Sequence, residues 1–376
     1  MNESPAWQGF FIFVISYIMF LIGNKNLYIA VCQRLSITEY VIKIKERQVI
    51  TMKNVLVLGA SGGIGSAIVQ ELIKREVHVK AFARNEDKMR KVLPGQSGKI
   101  TFISGDVMNL NEILTASHGV DLIIHAVSFS YENWARKHNF CLQNILEAAK
   151  TNRTKFILVD NIYAYGPSHS LPMRETNEKL PHTKKGKIRL RMEKQIEASP
   201  VPSIIAHLPD VYGPGALNTL LGITIEDIAR NKSARFVGPL HIPREFLYTQ
   251  DAAKAIIELA VRDFSYNQKW NIPSPYQITG NEMINIIKNE THYRKNVRAV
   301  SRSMIKLSGL FRPEMKEMTE MMYLTESPVF LSGEKYERHV GELPHTSYKV
   351  GLTETVNWFK NEIIEESSES SSSVSS

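Results

Sequence analysis

Residues 55–65 read Val-Leu-Val-Leu-Gly-Ala-Ser-Gly-Gly-Ile-Gly, and few folds can accept that stretch. Val55 to Leu58 have the continuous apolar character of a strand buried on both faces. Gly59, Gly62 and Gly65 follow at three-residue spacing, and Ala67-Ile68-Val69-Gln70-Glu71-Leu72-Ile73 then begins an amphipathic helix. A parallel strand entering a helix through such a turn lays backbone N–H groups and the helix's positive end against a pyrophosphate. A Cβ at these glycines would block the tight turn, the approach of the phosphates, or the helix's contact with the strand. The context predicts dinucleotide binding by Gly59, Ser61, Gly62, Gly63, Ile64 and Gly65.

Four more strands read from the sequence: His78–Ala83, Ile100–Ser104, Leu122–Ala126 and Lys155–Val159. Helical stretches separate most of them, which is the alternation of a doubly wound parallel sheet, an α/β fold. The residue at the end of the second strand reads the adenosine ribose. A carboxylate there would repel a 2′-phosphate, whereas Arg84, followed by Asn85, offers a guanidinium that can pair with one. NADP is therefore expected in preference to NAD. Asp106, with Val107, follows the third strand and is placed to meet the adenine edge; Ala126, ending the fourth, completes the cofactor-binding candidates.

Gly59-Ala60-Ser61-Gly62-Gly63-Ile64-Gly65, Gly105-Asp106-Val107, Tyr165-Gly166-Pro167 and Val211-Tyr212-Gly213-Pro214-Gly215 together resemble the extended short-chain dehydrogenase/reductases, the NAD(P)-dependent epimerase/dehydratase proteins. Asp251-Ala252-Ala253 after Phe246-Leu247-Tyr248 is similar to the family's late strand-to-helix segment. Trp270-Asn271-Ile272-Pro273 and Ile278-Thr279-Gly280 are similar to the start of its substrate-side region. The resemblance runs from about Met52 to about Lys360. It implies an NAD(P)-binding domain over residues 52–215 and a substrate-side lobe over residues 216–360, with Phe246–Tyr248 returning to the main sheet.

In that family a tyrosine, with a lysine four residues later, moves the proton that accompanies hydride transfer, and a serine or threonine orients the substrate oxygen. Counting back four residues from Tyr165 puts Asn161 at the serine position, and an amide can also bond a carbonyl. The tyrosine itself is missing, because none occurs between Tyr165 and Tyr212. Aligning on Glu193 places Lys185 and Arg189 where the pair belongs; a shift of two places Thr183 and Lys187 there. Three readings follow. Tyr165, Tyr163 or Lys185 supplies the proton; or the chain binds NADP without turnover, as a redox sensor or regulator; or the basic run from Lys179 to Lys194 is a solvated helix face. Asn161, Tyr165, Lys185 and Arg189 are the catalytic candidates. The expected function is an epimerase/dehydratase-like or reductase-like activity on a small carbonyl or sugar-type substrate.

Other features add less. Met315, Met318, Met321 and Met322 recur at helical spacing, as in a packed stripe. His125 reads as structural, and Asp160 has an orienting position beside Asn161. The net charge of +8 suits anionic ligands, with no nucleic-acid motif beside it. Cys32 and Cys141 are too few for a disulfide framework, and no cluster has metal-ligand spacing.

From Ser4 to Asn24 no residue is charged, and residues 6–23 are about long enough to cross a bilayer, which takes roughly 20 residues. Lys25, Arg34, Lys43, Lys45 and Arg47 follow, which would keep the folded part in the cytoplasm. The alternative is that Met52 is the working start and residues 1–51 an over-extension. Residues 361–376, rich in serine and glutamate, are expected to be disordered.

Overall fold

The apolar run at Val55–Leu58 forms β1 (Asn54–Leu58), and all four of its apolar side chains are fully buried. The structure is a computed structural model, and it describes residues 51–93, 98–167 and 172–372. From β1 the chain turns into α1 (Gly63–Lys74), which buries Ala67, Ile68, Val69 and Leu72. It then runs through β2 (His78–Ala83), α2 (Glu86–Val92), β3 (Ile100–Ser104), α3 (Leu110–Ser117), β4 (Leu122–His125), α4 (Trp134–Asn152) and β5 (Lys155–Asn161). Side-chain caps start two of these helices: Asn85 accepts from the Lys88 N–H at 2.8 Å, and Asn109 from the Asn111 N–H at 3.1 Å. β2 pairs with one side of β1 and β4 with the other, both parallel. The strand order therefore reverses at β1, which opens a crevice at the C-terminal ends of the strands.

The sheet has seven parallel strands: the five contiguous in the sequence reading of the first domain, and two more, over Ser203–Leu208 and Gln268–Asn271. After α5 (Lys184–Glu197) comes β6 (Ser203–Leu208), paired with β5. β7 (Asp210–Tyr212) is separated from β6 only by Pro209. A proline has no N–H to give to a ladder, and here the chain leaves the main sheet. α6 (Leu220–Ala229) and β8 (Ala234–Val237) follow, then β9 (Phe246–Tyr248), α7 (Thr249–Ala260) and β10 (Gln268–Asn271). The expected return of Phe246–Tyr248 to the main sheet is corrected here. β9 pairs with β7 in a separate two-stranded sheet, and β10 makes the return beside β6. The final order is β10-β6-β5-β4-β1-β2-β3.

A second core lies beyond the sheet. Ile225 of α6, Phe236 of β8 and Phe246 of β9 pack with residues of two later helices. These are α8 (Gly280–Thr291), opened by a Thr279–Glu282 capping box, and the long final helix, which contributes Leu352, Val356 and Phe359. Between them lie β11 (Val297–Val300), paired with β8, and four short helices: α9 (Arg302–Ser308), α10 (Pro313–Thr319), α11 (Tyr323–Glu326) and α12 (Glu334–His339).

The final helix is α13 (Tyr348–Ser372), which runs into the serine- and glutamate-rich end of the chain. Helical backbone continues well past the last core residue, because extending a helix already anchored by tertiary packing costs little. Lys91 also reaches Glu362 at 3.6 Å and Glu365 at 4.0 Å. The apolar segment at residues 6–23 lies outside the described residues. Among those described, no helix is long and apolar enough to cross a membrane.

Glu245, just before β9, is buried, and burial pushes its carboxyl up from 4.5 to about 8 despite an N–H from Leu331 at 3.1 Å. The folded value lies above the unfolded one, so this contribution to stability is present below about pH 4.5 and is lost as pH rises through about 8. Glu245→Gln keeps an acceptor for Leu331 and removes the charge. Urea denaturation at several pH values should show a flatter profile for the variant, with a gain on the order of a few kcal/mol at the alkaline end.

Candidate functional site

The glycine turn is as tight as its sequence requires. Gly59 has φ +86°, donates its N–H to Phe82 at 2.9 Å, and accepts from the Gly62 N–H at 3.0 Å. A Cβ on Gly65 would lie 2.1 Å from the Gly59 oxygen, so the first turn of α1 sits directly over the end of β1. Gly62 is the N-cap; no side chain caps α1 and its first turn carries no acidic residue. The helix start is thus open to an anion. Ser61, Gly63 and Ile64 are half-buried beside it.

The other cofactor candidates border the same strand ends. Arg84 is exposed immediately after β2, while Asn85 is occupied in capping α2. Asp106 is exposed after β3, its carboxylate accepting from the Met108 N–H at 2.9 Å, and Val107 is buried beneath it. Ala126 donates to Leu58 at 2.9 Å, and its backbone would lie 2.9 Å from a Cβ on Gly59. His125 faces inward: its Nδ1 accepts from the Val127 N–H at 3.3 Å, and burial lowers its pKa to about 3. It is therefore neutral at any physiological pH.

At the end of β5 the chain makes one tight helical turn, Ile162–Tyr165, capped by Asn161, whose side-chain oxygen accepts from the Tyr163 N–H at 3.0 Å. The three tyrosine hydroxyls nearby differ in their partners. Tyr165 is fully buried and donates to Asn271 Oδ1 at 2.6 Å, with Lys179 Nζ 4.3 Å from its ring centre. Tyr163 shares a 2.7 Å hydrogen bond with the hydroxyl of Tyr131. That pair lines a small cavity of about 10 Å³, together with Asp210, Arg244, Met318 and Met321. Burial pushes the Tyr131 phenol up to about 12 and the Tyr163 phenol well above its ordinary value.

The basic run on α5 divides by helical period. Lys187, Arg191 and Lys194 face solvent, whereas Lys185 and Arg189, one turn apart, are buried. Lys185 Nζ lies 2.7 Å from Glu317 and 2.7 Å from Glu320, both on or beside α10, and 4.9 Å from the Tyr131 ring centre. Arg189 reaches Asp160 Oδ1 at 3.2 Å and lies over the Trp134 ring at 4.6 Å.

Tyr131, Asp210 and Arg244 were not singled out in the sequence. Arg244, nearly fully buried between two aromatic residues and held by Asp210, left a trace as a charge next to the apolar β9. Nothing local marks Tyr131. The methionines that read as a packed stripe divide their contacts: Met315, Met318 and Met322 pack with Val237 and Ile305, and Met321 with Tyr165 and Leu331. Three of the four, Met318, Met321 and Met322, also line the cavity.

Behind this site lies a buried ionic cluster that residue spacing could not reveal. Asp160, Glu193 and His207 bring ligand-type atoms within 4.8 Å of one another, from β5, α5 and β6. Cations already balance the carboxylates. Lys179 Nζ lies 2.6 and 2.7 Å from the two Glu193 oxygens and 2.8 Å from His207 Nε2. Lys269 adds a contact to Glu193 at 3.3 Å. Burial alone would raise the Glu193 carboxyl, but His207 and Lys179 hold it well below the usual carboxylate range. Lys179→Met should remove the nearest cation from this buried carboxylate, leaving Lys269 and His207 beside it, and cost roughly 1.5–3 kcal/mol, read as a lower urea midpoint with an unchanged slope. A midpoint equal to the wild type would show that the Lys179 contact contributes nothing to stability.

Residues 55–272 match the family model described as the NAD dependent epimerase/dehydratase family. An uncharacterized protein y4nG of Sinorhizobium fredii is 21% identical over 326 residues, covering 82% of this chain and 79% of the relative. The UDP-glucose 4-epimerase of Rickettsia bellii is 29% identical over 121 residues, 28% of this chain and 36% of that protein. Among solved structures, the dTDP-glucose 4,6-dehydratase of Streptomyces venezuelae with NAD bound has a TM-score of 0.67 at 19% identity, covering 82% of this chain and 97% of its own. The UDP-glucose 4-epimerase of Thermotoga maritima with UDP-glucose also has a TM-score of 0.67, at 20% identity, covering 82% and 99%. At these identities the structures establish the fold: a parallel sheet flanked by helices.

Proposed function

Since the chain belongs to the NAD dependent epimerase/dehydratase family, we propose that it binds a nicotinamide dinucleotide at the Gly59–Gly65 turn and reduces the carbonyl of a sugar-nucleotide or related substrate. The bound cofactor supplies hydride chemistry. The chain's own part is to hold the substrate oxygen and to provide the proton. The hydrogen-bonded hydroxyls of Tyr163 and Tyr131, 2.7 Å apart at the cavity wall, carry this reading.

A phenol kept neutral by burial can donate a proton but is a poor base, so the pair suits addition of a proton to a developing alkoxide. Tyr165 is less suited, since its hydroxyl is spent on Asn271 and its side chain is fully buried. Asn161 keeps a side-chain amide N–H pair to orient a carbonyl oxygen while its own oxygen caps the turn. Lys185 and Arg189 put positive charge beside the two tyrosines and Asp160. Arg244, lining the same cavity, suits the phosphates of a sugar nucleotide.

For the cofactor, Arg84 supports NADP over NAD, because no carboxylate stands at the end of β2 to oppose a 2′-phosphate. The relatives described as holding NAD are the counterweight. Isothermal titration should give tighter binding of NADPH than of NADH, and Arg84→Ala should shrink the ratio by roughly tenfold, the equivalent of about 1.4 kcal/mol. Equal affinities in the wild type would remove the role given to Arg84.

Turnover is tested by following NADPH absorbance against a panel of 4-keto and other carbonyl sugar nucleotides. Tyr163→Phe should lower kcat by roughly 10²- to 10⁴-fold with little change in NADPH affinity. If activity persists in both Tyr163→Phe and Tyr131→Phe, the proton comes from elsewhere.

A further inference from the structure

The stretch from α9 to α10 is apolar on two sides, and the fold uses only one. Ile305 is buried against Val237 and Met322, with Met315 and Met318 packed over the same cluster. Met304 is left 54% exposed, Leu307 63%, Leu310 74% and Phe311 84%. Leu310 and Phe311 are more exposed than any other large apolar side chain described. Exposed apolar residues scattered singly are ordinary; four within the span 304–311 make a surface. Gly309 tightens the turn, where a Cβ would lie 3.0 Å from the Lys316 backbone, so the residues project from the bend of a compact hairpin.

The charges along this stretch are predominantly positive. Lys306, Arg312 and Lys316 are exposed, and none forms an ion pair among the described residues. Arg302 is matched by Glu326 at 3.6 Å, and the next acids along the chain, Glu317 and Glu320, are turned onto Lys185. Between Val297 and Lys316 the sequence holds five basic residues and one acidic residue, Glu314. A second copy of this face would bring cations against cations. A short ridge is also too small for a stable protein interface of ordinary size. An apolar wedge ringed by cations fits a surface that is apolar a few ångströms down and anionic at its boundary. We propose that the α9–α10 hairpin docks on an anionic lipid bilayer, with Leu307, Leu310 and Phe311 entering the headgroup layer and Lys306, Arg312 and Lys316 meeting lipid phosphates.

The experiment uses the full chain, residues 1–51 included, with a readout confined to the hairpin. Hydrogen exchange of residues 303–312 is compared in buffer, with phosphatidylcholine vesicles, and with vesicles carrying roughly 30 mol% phosphatidylserine. The phosphatidylserine vesicles should slow exchange in this stretch by roughly tenfold or more, and added salt should reverse the effect. Leu310→Glu with Phe311→Glu should abolish the protection, as should reversing the three cations to glutamate, without altering the thermal midpoint. The proposal fails if the chain sediments with vesicles while residues 303–312 exchange as in buffer, since another segment then makes the contact. It fails equally if no vesicles are bound, or if protection appears without lipid as protein concentration rises, which would identify a second copy as the occupant.

Discussion

The close approach of Gly65 to the carbonyl of Gly59 is the constraint from which the rest of the architecture follows. It lets α1 begin directly over the end of β1, so the helix packs back along the sheet and leaves its first amides facing outward. β2 and β4 then flank β1 on opposite sides, and the crevice opens where their paths diverge. The end of β2 brings Arg84 to that crevice and the end of β4 brings Ala126. β5, two strands from β1, brings Asn161 and the turn that carries Tyr163. A methyl group at position 65 would force the helix off the strand and move all of these relative to one another.

The parts of the fold legible in the sequence are those set by local chemistry. Five strands could be read because each is a short apolar or alternating run fixed by its neighbours along the chain. The glycine turn could be read because its spacing has a steric cause. β6 and β10 complete the same sheet, yet their sequences carry His207 and Lys269, polar groups that only tertiary partners make acceptable in a sheet. The serine- and glutamate-rich end of the chain poses the opposite case. Its composition argues against folding, but a helix nucleated by Leu352, Val356 and Phe359 extends beyond its apolar face.

The candidate site shows the same division. Lys185 and Arg189 were identifiable as a pair one helical turn apart, and both are indeed buried where Lys187 and Arg191 are not. Their partners were not identifiable. Glu317 and Glu320 are more than 130 residues further on, and Asp160 belongs to another element. The Tyr131–Tyr163 contact likewise joins residues 32 apart from two connecting segments, with no period linking them. Ionic and hydroxyl contacts of this kind depend on where elements meet, and a linear pattern records which residues are polar without recording which of them meet.

The cavity beside Tyr163 holds about 10 Å³, close to the space one water needs and far from that of a sugar. Met318, Met321 and Met322 line it, and Glu317 and Glu320, on or beside the same helix as Met318, are ion-paired to Lys185. A ligand larger than a water fits there only if these side chains move aside, and if that open form is a fraction of the molecules the cost enters its binding. Its measured affinity is then the intrinsic affinity scaled by the fraction of molecules open at any moment. Tight intrinsic contacts and weak apparent binding can coexist in such a protein. Its association rate would be set by the frequency of opening, well below the rate of diffusion.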